Sequence, residues 1–240
     1  MFFGLVQIRG LFWYTDTILK TFDEFRTHFF EFYTMVKEGH DTTLSKNHGG
    51  HGLDHDVTVA MLATIIAPSE RIAEKAWCAA MLHSVDRVVV DLASLESTMV
   101  SYSKKLTNHF KQEEIDEIVE AALRHGELNQ SDQNETQVVL MDADRLANMQ
   151  SAVIIRGGQF RSTLPVFEFT YLEGSKNPDS TYDHPQSILD NLRLIISQYM
   201  PQLRSVKAQE LGGKYSARLA SYIASVEQDY KELGLVNIEL

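Results

Sequence analysis

Apolar residues in this chain recur every three or four positions, a spacing that gathers them on one face of an α-helix but scatters them over both faces of a strand. The clearest case runs from Thr15 to Lys37, where Ile18, Leu19, Phe22, Phe25, Phe29, Phe32, Tyr33 and Val36 make one aromatic-rich face that reads as core. Similar patterns predict helices over Val57–Ala67, stopped by Pro68, and over Glu70 to about Ser84, capped by Ser69. Others are expected at Leu92–Thr107, Gln112–Arg124, Thr136–Ser151, Pro185–Met200 and Lys214–Leu233. Pro185 suits a first helical turn, with Asp183 or His184 as cap, and Gly234 suits a C-terminal stop. Strand signals are too sparse for a sheet. The expected fold class is therefore all-α, a compact helical bundle of residues 1–240 as one domain, with helical extensions at 15–37, 185–200 and 214–233.

Two connections stand apart from this pattern. Residues 126–135 are short and polar, whereas Gly157–Tyr182 is long and mixes Phe160, Phe167, Phe169 and Tyr171 with Lys176, Asn177, Pro178 and Asp179. A connection of that length is expected to be a lid, and its FEFTY segment a brief extended piece.

A chain of 240 residues with 44% hydrophobic content can bury a substantial core. Its 22 basic and 33 acidic side chains leave a net charge of −11, which disfavours a nucleic-acid polymer because backbone binding needs clustered Lys and Arg. A local cluster of cations can still hold a small phosphorylated ligand. No run reaches the ~18 apolar residues of a spanning helix, so no membrane partner is expected. The opening MFFGLVQIRGLFWY lacks a basic start and a small-residue cleavage site, which reads against export and in favour of a leader or a strip packed on a neighbouring helix or a second copy in a homodimer. Cys78 is the single cysteine, excluding an intrachain disulfide and pointing to a reducing, cytoplasmic setting.

The chemistry-bearing residues sit in three separated stretches, HGLDHDVTVA with His51 and His55, AAMLHSVDR with His83, and MDADRLANM with Asp142, Asp144 and Asn148. Four of the nine histidines, His40, His48, His51 and His55, fall within sixteen residues, a crowding that a His-rich surface loop would also show. Asp142 and Asp144 point about 200° apart on a helix, so both cannot serve one site. A buried carboxylate among Leu140, Met141 and Leu146 needs a cation or a hydrogen-bonded partner; an Asp142–Arg145 or Asp144–Asn148 structural pair would satisfy that need without any metal.

The order of these stretches, a His followed four residues later by Val59 and then Ala60, a His after an apolar run, and A-D-R-L-x-N, resembles the HD-domain superfamily of metal-dependent phosphohydrolases. The resemblance spans about Gly50–Met149 and implies an HD-like helical core over about 50–150. It selects His55, His83 and Asp144 as ligands of a divalent metal, with Mn, Fe, Ni, Zn or Mg all admissible. One position departs from the family, which has Asp after the middle His where this chain has Ser84. A neutral hydroxyl cannot bridge two cations as a carboxylate does; Ser84 is left as a weak ligand, and Asp86, three residues beyond His83, or Asp54 as a compensating carboxylate.

Around that centre the resemblance places His51 and His125 near substrate. His125 lies at a helix C-terminus, which favours a protonated imidazole suited to phosphate contact or general-acid work. Asn148 would hold a water or a substrate oxygen, making His51, His125 and Asn148 the candidate catalytic side chains. Arg124, Arg145, Arg156 and Arg161 are the candidate phosphate-binding cations. The leading expectation is hydrolysis of a small phosphomonoester or nucleotide through a metal-activated water. The alternative is a non-catalytic, degenerate HD domain that binds a nucleotide or partner.

Overall fold

The computed structural model describes residues 20–41, 52–89, 91–174 and 176–238. Among them are α1 (Phe22–His28), α2 (Phe30–His40), α3 (Leu53–Ile66), α4 (Glu70–Leu82), α5 (Leu95–Ser103), α6 (Gln112–Leu123), α7 (Glu135–Ala147), α8 (Val153–Phe160), α9 (Ile188–Tyr199) and α10 (Val206–Glu232), joined in places by short 3-10 turns and by no strand. The expected all-α class is the class observed.

Helix α4 runs through the middle of the bundle, with every residue from Ile72 to Leu82 buried except Glu74. Its small Ala73, Ala76, Ala79 and Ala80 let α3 and α7 approach closely, and these three helices pack mutually, with α6 against α4 and α7. Trp77, fully buried on α4, stacks on Phe25 and Phe29 at ring-centroid distances of 5.5 and 5.6 Å, which explains the aromatic face of the N-terminal segment. Helix α10 lies against α7 and α9, and α9 against α8.

Local sequence accounts for most helix ends. Ser69 accepts the Ile72 N–H at the start of α4, and Asn134 accepts the Gln137 N–H at the start of α7. Gly234, with φ 70, follows α10 as expected of a glycine stop.

Several expected boundaries moved. The helix anticipated over 15–37 is broken at Phe29 (φ −107, ψ 40) into α1 and α2, and its residues 15–19 lie outside the described set. Helix α3 starts at Leu53 rather than Val57, and the 92–107 segment is a 3-10 turn, α5 and a second 3-10 turn. Ser187, not Asp183 or His184, caps α9, so Pro185 precedes the first turn. Helix α8 continues through Gly157 and Gly158, and α10 begins at Val206 and passes through Gly212 and Gly213. From sequence, the long connection is expected to begin at Gly157 and the last helix at Lys214. Gly212 instead marks a close approach, since a Cβ there would stand 2.3 Å from Leu203 Cδ1 and 2.9 Å from Met200 Sδ.

The long connection after α8, expected to be a lid, is anchored on α9 by hydrogen bonds. Asp190 accepts hydrogen bonds from Ser180 Oγ (2.6 Å) and the Asn177 N–H (3.1 Å), while Arg193 donates to the carbonyls of Tyr171 (3.4 Å) and Leu172 (2.7 Å) and to Glu227 (2.6 Å). FEFTY contains a 3-10 turn, Phe169–Tyr171, in place of an extended piece.

Candidate metal centre

Three helices of the central packing aim one side chain each at a common point. His55 comes from the first turn of α3, His83 from the residue that ends α4, and Asp144 from the third turn of α7. One donor atom from each lies within 4.8 Å of the others. His55 Nε2 is 3.1 Å and His83 Nε2 3.9 Å from Asp144 Oδ1. Both imidazoles are buried, and 22% of the Asp144 side chain faces the adjoining cavity.

Backbone contacts set the imidazole orientations. His83 Nδ1 lies 2.6 Å from the Ala80 carbonyl and donates to it, which leaves the Nε2 lone pair on the Asp144 side. His125, just beyond α6, repeats the device, with Nδ1 2.7 Å from the Ala122 carbonyl and its ring centroid 5.1 Å from that of His83. Burial pulls the His125 pKa down and His83 adds to the effect, so this imidazole is neutral, contrary to the protonated form expected of a helix C-terminus. Burial alone would raise the Asp144 carboxyl; the hydrogen bond with His55 and the electrostatics of the three neighbouring imidazoles outweigh it and hold Asp144 below the usual carboxylate range.

Asn148 Nδ2 donates to Asp144 Oδ1 at 3.0 Å, and Arg156 donates to Asn148 Oδ1 at 2.7 Å. The Asp144–Asn148 pair considered from sequence therefore exists, inside a longer chain from Arg156 to His55. Asp142 faces the other way, as the helical argument required. Fully buried, it accepts the N–H groups of Arg204 (3.1 Å) and Ser205 (2.9 Å) at the start of α10. Arg145 Nη1 stands 3.8 Å from Asp142, too far for a tight pair.

The group opens into a cavity of about 220 Å³ between the central helices and α8–α9. Ser84, Asp86, His125, Asn148, Arg156 and Arg161 also line it. Ser84 Oγ is 3.3 Å from His83 Nε2, while Asp86 is 3.2 Å from Arg87 Nε and outside the three-ligand cluster, because α4 ends at Leu82 and the chain continues as a 3-10 turn. Asp54 is exposed. Arg161 donates to the Tyr182 and Asp183 carbonyls (3.2 and 3.3 Å), so it also fastens the connection before α9.

Two expected phosphate cations are elsewhere. Arg124 is held by Glu120, Glu127 and Asp132, and Arg145 by Asn129 Oδ1 (2.9 Å) and the Gln202 carbonyl (3.1 Å); neither lines the cavity. His51 lies outside the described residues.

Sequence reasoning passed over a buried group behind the centre. Asp56, wholly enclosed, has Oδ2 2.8 Å from His40 Nε2 and Oδ1 3.6 Å from His83 Nδ1. Its place in the first turn of α3 resembles an ordinary N-terminal acidic residue, and His40 is distant in sequence, so only the adjacency of His55 and Asp56 could have signalled it.

Residues 52–149, the segment that supplies His55, His83, His125 and Asp144, match the HD domain family. The matched segment is similar to an HD domain and has Ser84 directly after His83. In fold, the protein is similar to a structural-genomics target from Lactobacillus plantarum at 16% identity, covering 86% of this chain and 98% of that one with a TM-score of 0.65. It is also similar to YpgQ of Bacillus subtilis, solved in complex with ADP, at 20% identity, 84% and 97% coverage and a TM-score of 0.55. Comparison with curated protein sequences gives no match.

The donor set fits a divalent cation. Two imidazoles and one carboxylate converge, one imidazole has its tautomer fixed by a carbonyl, and a partly open cavity adjoins them, which is the arrangement of a site with positions left for substrate.

Proposed function

We propose that this protein is a divalent-metal-dependent phosphohydrolase acting on a small phosphomonoester. The observation that carries the reading is the convergence of His55, His83 and Asp144 at a cavity that also presents the Arg156 guanidinium. His55, His83 and Asp144 would hold the metal; nitrogen donors favour Mn, Fe, Ni or Zn over Mg. The chemistry a bound divalent cation supplies is Lewis acidity toward a phosphoryl oxygen and toward a water.

The chain's own side chains account for the rest. Asp144 contributes the one anionic ligand, kept ionised by the surrounding imidazoles and held in place by Asn148. Arg156 meets the phosphoryl oxygens with a forked donor. His125, neutral and with Nδ1 committed to Ala122, takes up the proton of the attacking water at Nε2. That the fold accommodates a phosphorylated ligand is supported by the ADP of the Bacillus subtilis neighbour. The single thiol, Cys78, is buried among apolar side chains, in keeping with a cytoplasmic protein.

The test is release of phosphate from p-nitrophenyl phosphate with Mn, Fe, Ni or Zn added singly. Turnover that depends on metal and is lost in His55→Ala and Asp144→Ala supports the reading; turnover insensitive to chelator and to both variants contradicts it. One observation favours a second reading. Ser84 places a neutral hydroxyl 3.3 Å from His83 Nε2, where the family has a carboxylate, so a site that binds a phosphorylated ligand without turning it over would show metal-dependent binding and no phosphate release.

A further inference from the structure

Helix α9 supplies part of the wall of the cavity beside the three ligands. Asn191, Ile195 and Tyr199 stand four residues apart on that helix and all line the cavity. Two of the three are polar, which is unusual for a helix face turned inward.

Asn191, only 6% exposed as a residue, lines the cavity, and among the described residues no side-chain hydrogen bond is made by its amide. An amide that borders a cavity and has no protein partner is open to a hydrogen bond from a ligand. Its room comes from Gly157 of α8, where a Cβ would sit 3.4 Å from Asn191 Nδ2. Two turns further along the same helix, Tyr199 Oη is hydrogen-bonded to Tyr182 Oη. In a pair of hydroxyls one proton is shared and the other is uncommitted, and burial raises the pKa of both phenols, keeping them neutral donors.

We propose that Asn191 and the Tyr182–Tyr199 pair form a subsite for the organic part of the substrate, and that this part is a short hydroxylated alcohol: the substrate class is a small polyol or sugar phosphate. The proposal rests on the phosphohydrolase reading. A carboxamide offers donors and an acceptor side by side, which one alcohol hydroxyl satisfies by accepting from Nδ2 and donating to Oδ1. Asn191, Tyr182 and Tyr199 are neutral hydrogen-bonding groups, matched to hydroxyls rather than to a charge. The cavity's 220 Å³ is below the ~300–1,000 Å³ of pockets for drug-sized ligands, which suits a phosphoryl group with a short organic part. Arg156 lines the same cavity.

The experiment compares kcat/KM for glycerol 1-phosphate, p-nitrophenyl phosphate and AMP in the wild-type protein, Asn191→Ala and Asn191→Asp, with thermal unfolding to verify folding; the Asp variant preserves the shape of the side chain. The wild type is expected to prefer glycerol 1-phosphate, and each variant to lower the glycerol 1-phosphate to p-nitrophenyl phosphate ratio about tenfold, as expected when a substrate hydroxyl loses its buried partner. A wild type that prefers AMP, or a ratio unchanged in both folded variants, overturns the subsite. If no ester is turned over, the phosphohydrolase reading fails separately. Calorimetric titration with glycerol 1-phosphate against inorganic phosphate then decides: tighter binding of the ester that is lost in the Asn191 variants supports the subsite, and equal binding overturns it.

Discussion

Replacing Asp142 with Ala separates a structural carboxylate from a functional one two residues away. Asp142 is fully buried and accepts the Arg204 and Ser205 N–H groups, the point where the chain turns into the 27-residue α10. Each hydrogen bond to a charged acceptor contributes about 1.5–3 kcal/mol, and removing the acceptor leaves both donors partly enclosed. The burial that raises the Asp142 pKa is a cost the variant escapes, which offsets part of the loss. The net destabilisation expected is about 2–4 kcal/mol, or roughly 5–12 °C in Tm for a chain of this size. Differential scanning calorimetry in chelator and in excess Mn is the assay. Asp142→Ala should unfold at lower temperature in both conditions and keep its metal-induced shift. Asp144→Ala should lose the metal-induced shift. An Asp142→Ala protein that melts within about 1 °C of the parent, or that loses the metal response, would refute the assignment.

Ser84→Asp should raise metal content above one per chain and increase turnover of p-nitrophenyl phosphate, because the new carboxylate would lie beside His83 Nε2; since Ser84 is buried, a variant that gains no metal should instead lose about 3–5 kcal/mol in denaturant unfolding for an unpaired charge. Gly212→Ala should destabilise the protein by about 1–3 kcal/mol through overpacking against Leu203 and Met200. Gly213→Ala, with nothing within 4 Å of the new methyl, should stabilise α10 by up to about 1 kcal/mol; equal effects in thermal unfolding would contradict the close approach.

The fold class was legible because the helices bury continuous apolar faces, as in Phe25, Phe29 and Phe32, and such faces depend only on local spacing. The three converging side chains were legible for a different reason, since each lies in its own short pattern. What sequence left open was pairing across distance. Arg124, Arg145, Arg156 and Arg161 look alike as residues, and only Asn129, Gln202 and a set of three carboxylates divert two of them from the cavity. Helices α8 and α10 run through Gly157–Gly158 and Gly212–Gly213, beyond the bounds expected at Gly157 and Lys214, because tertiary packing overrides glycine's helix penalty of about 1 kcal/mol per residue. Asp56 went unnoticed because its partners, His40 and His83, come from other helices. The wall made by Asn191 and Tyr199 was likewise hidden, as nothing in the α9 pattern shows which face meets a cavity.

The central claim is that His55, His83 and Asp144 together bind a divalent cation. Metal analysis of protein purified without chelator tests it most directly, by mass spectrometric metal counting on the wild type and on His55→Ala, His83→Ala and Asp144→Ala after equilibration with Mn, Fe, Ni or Zn. One equivalent of a transition metal per wild-type chain, falling below about a tenth in each folded variant, is the predicted result. A wild type that retains no metal under any of these conditions, or variants that retain as much as the parent, would contradict the account.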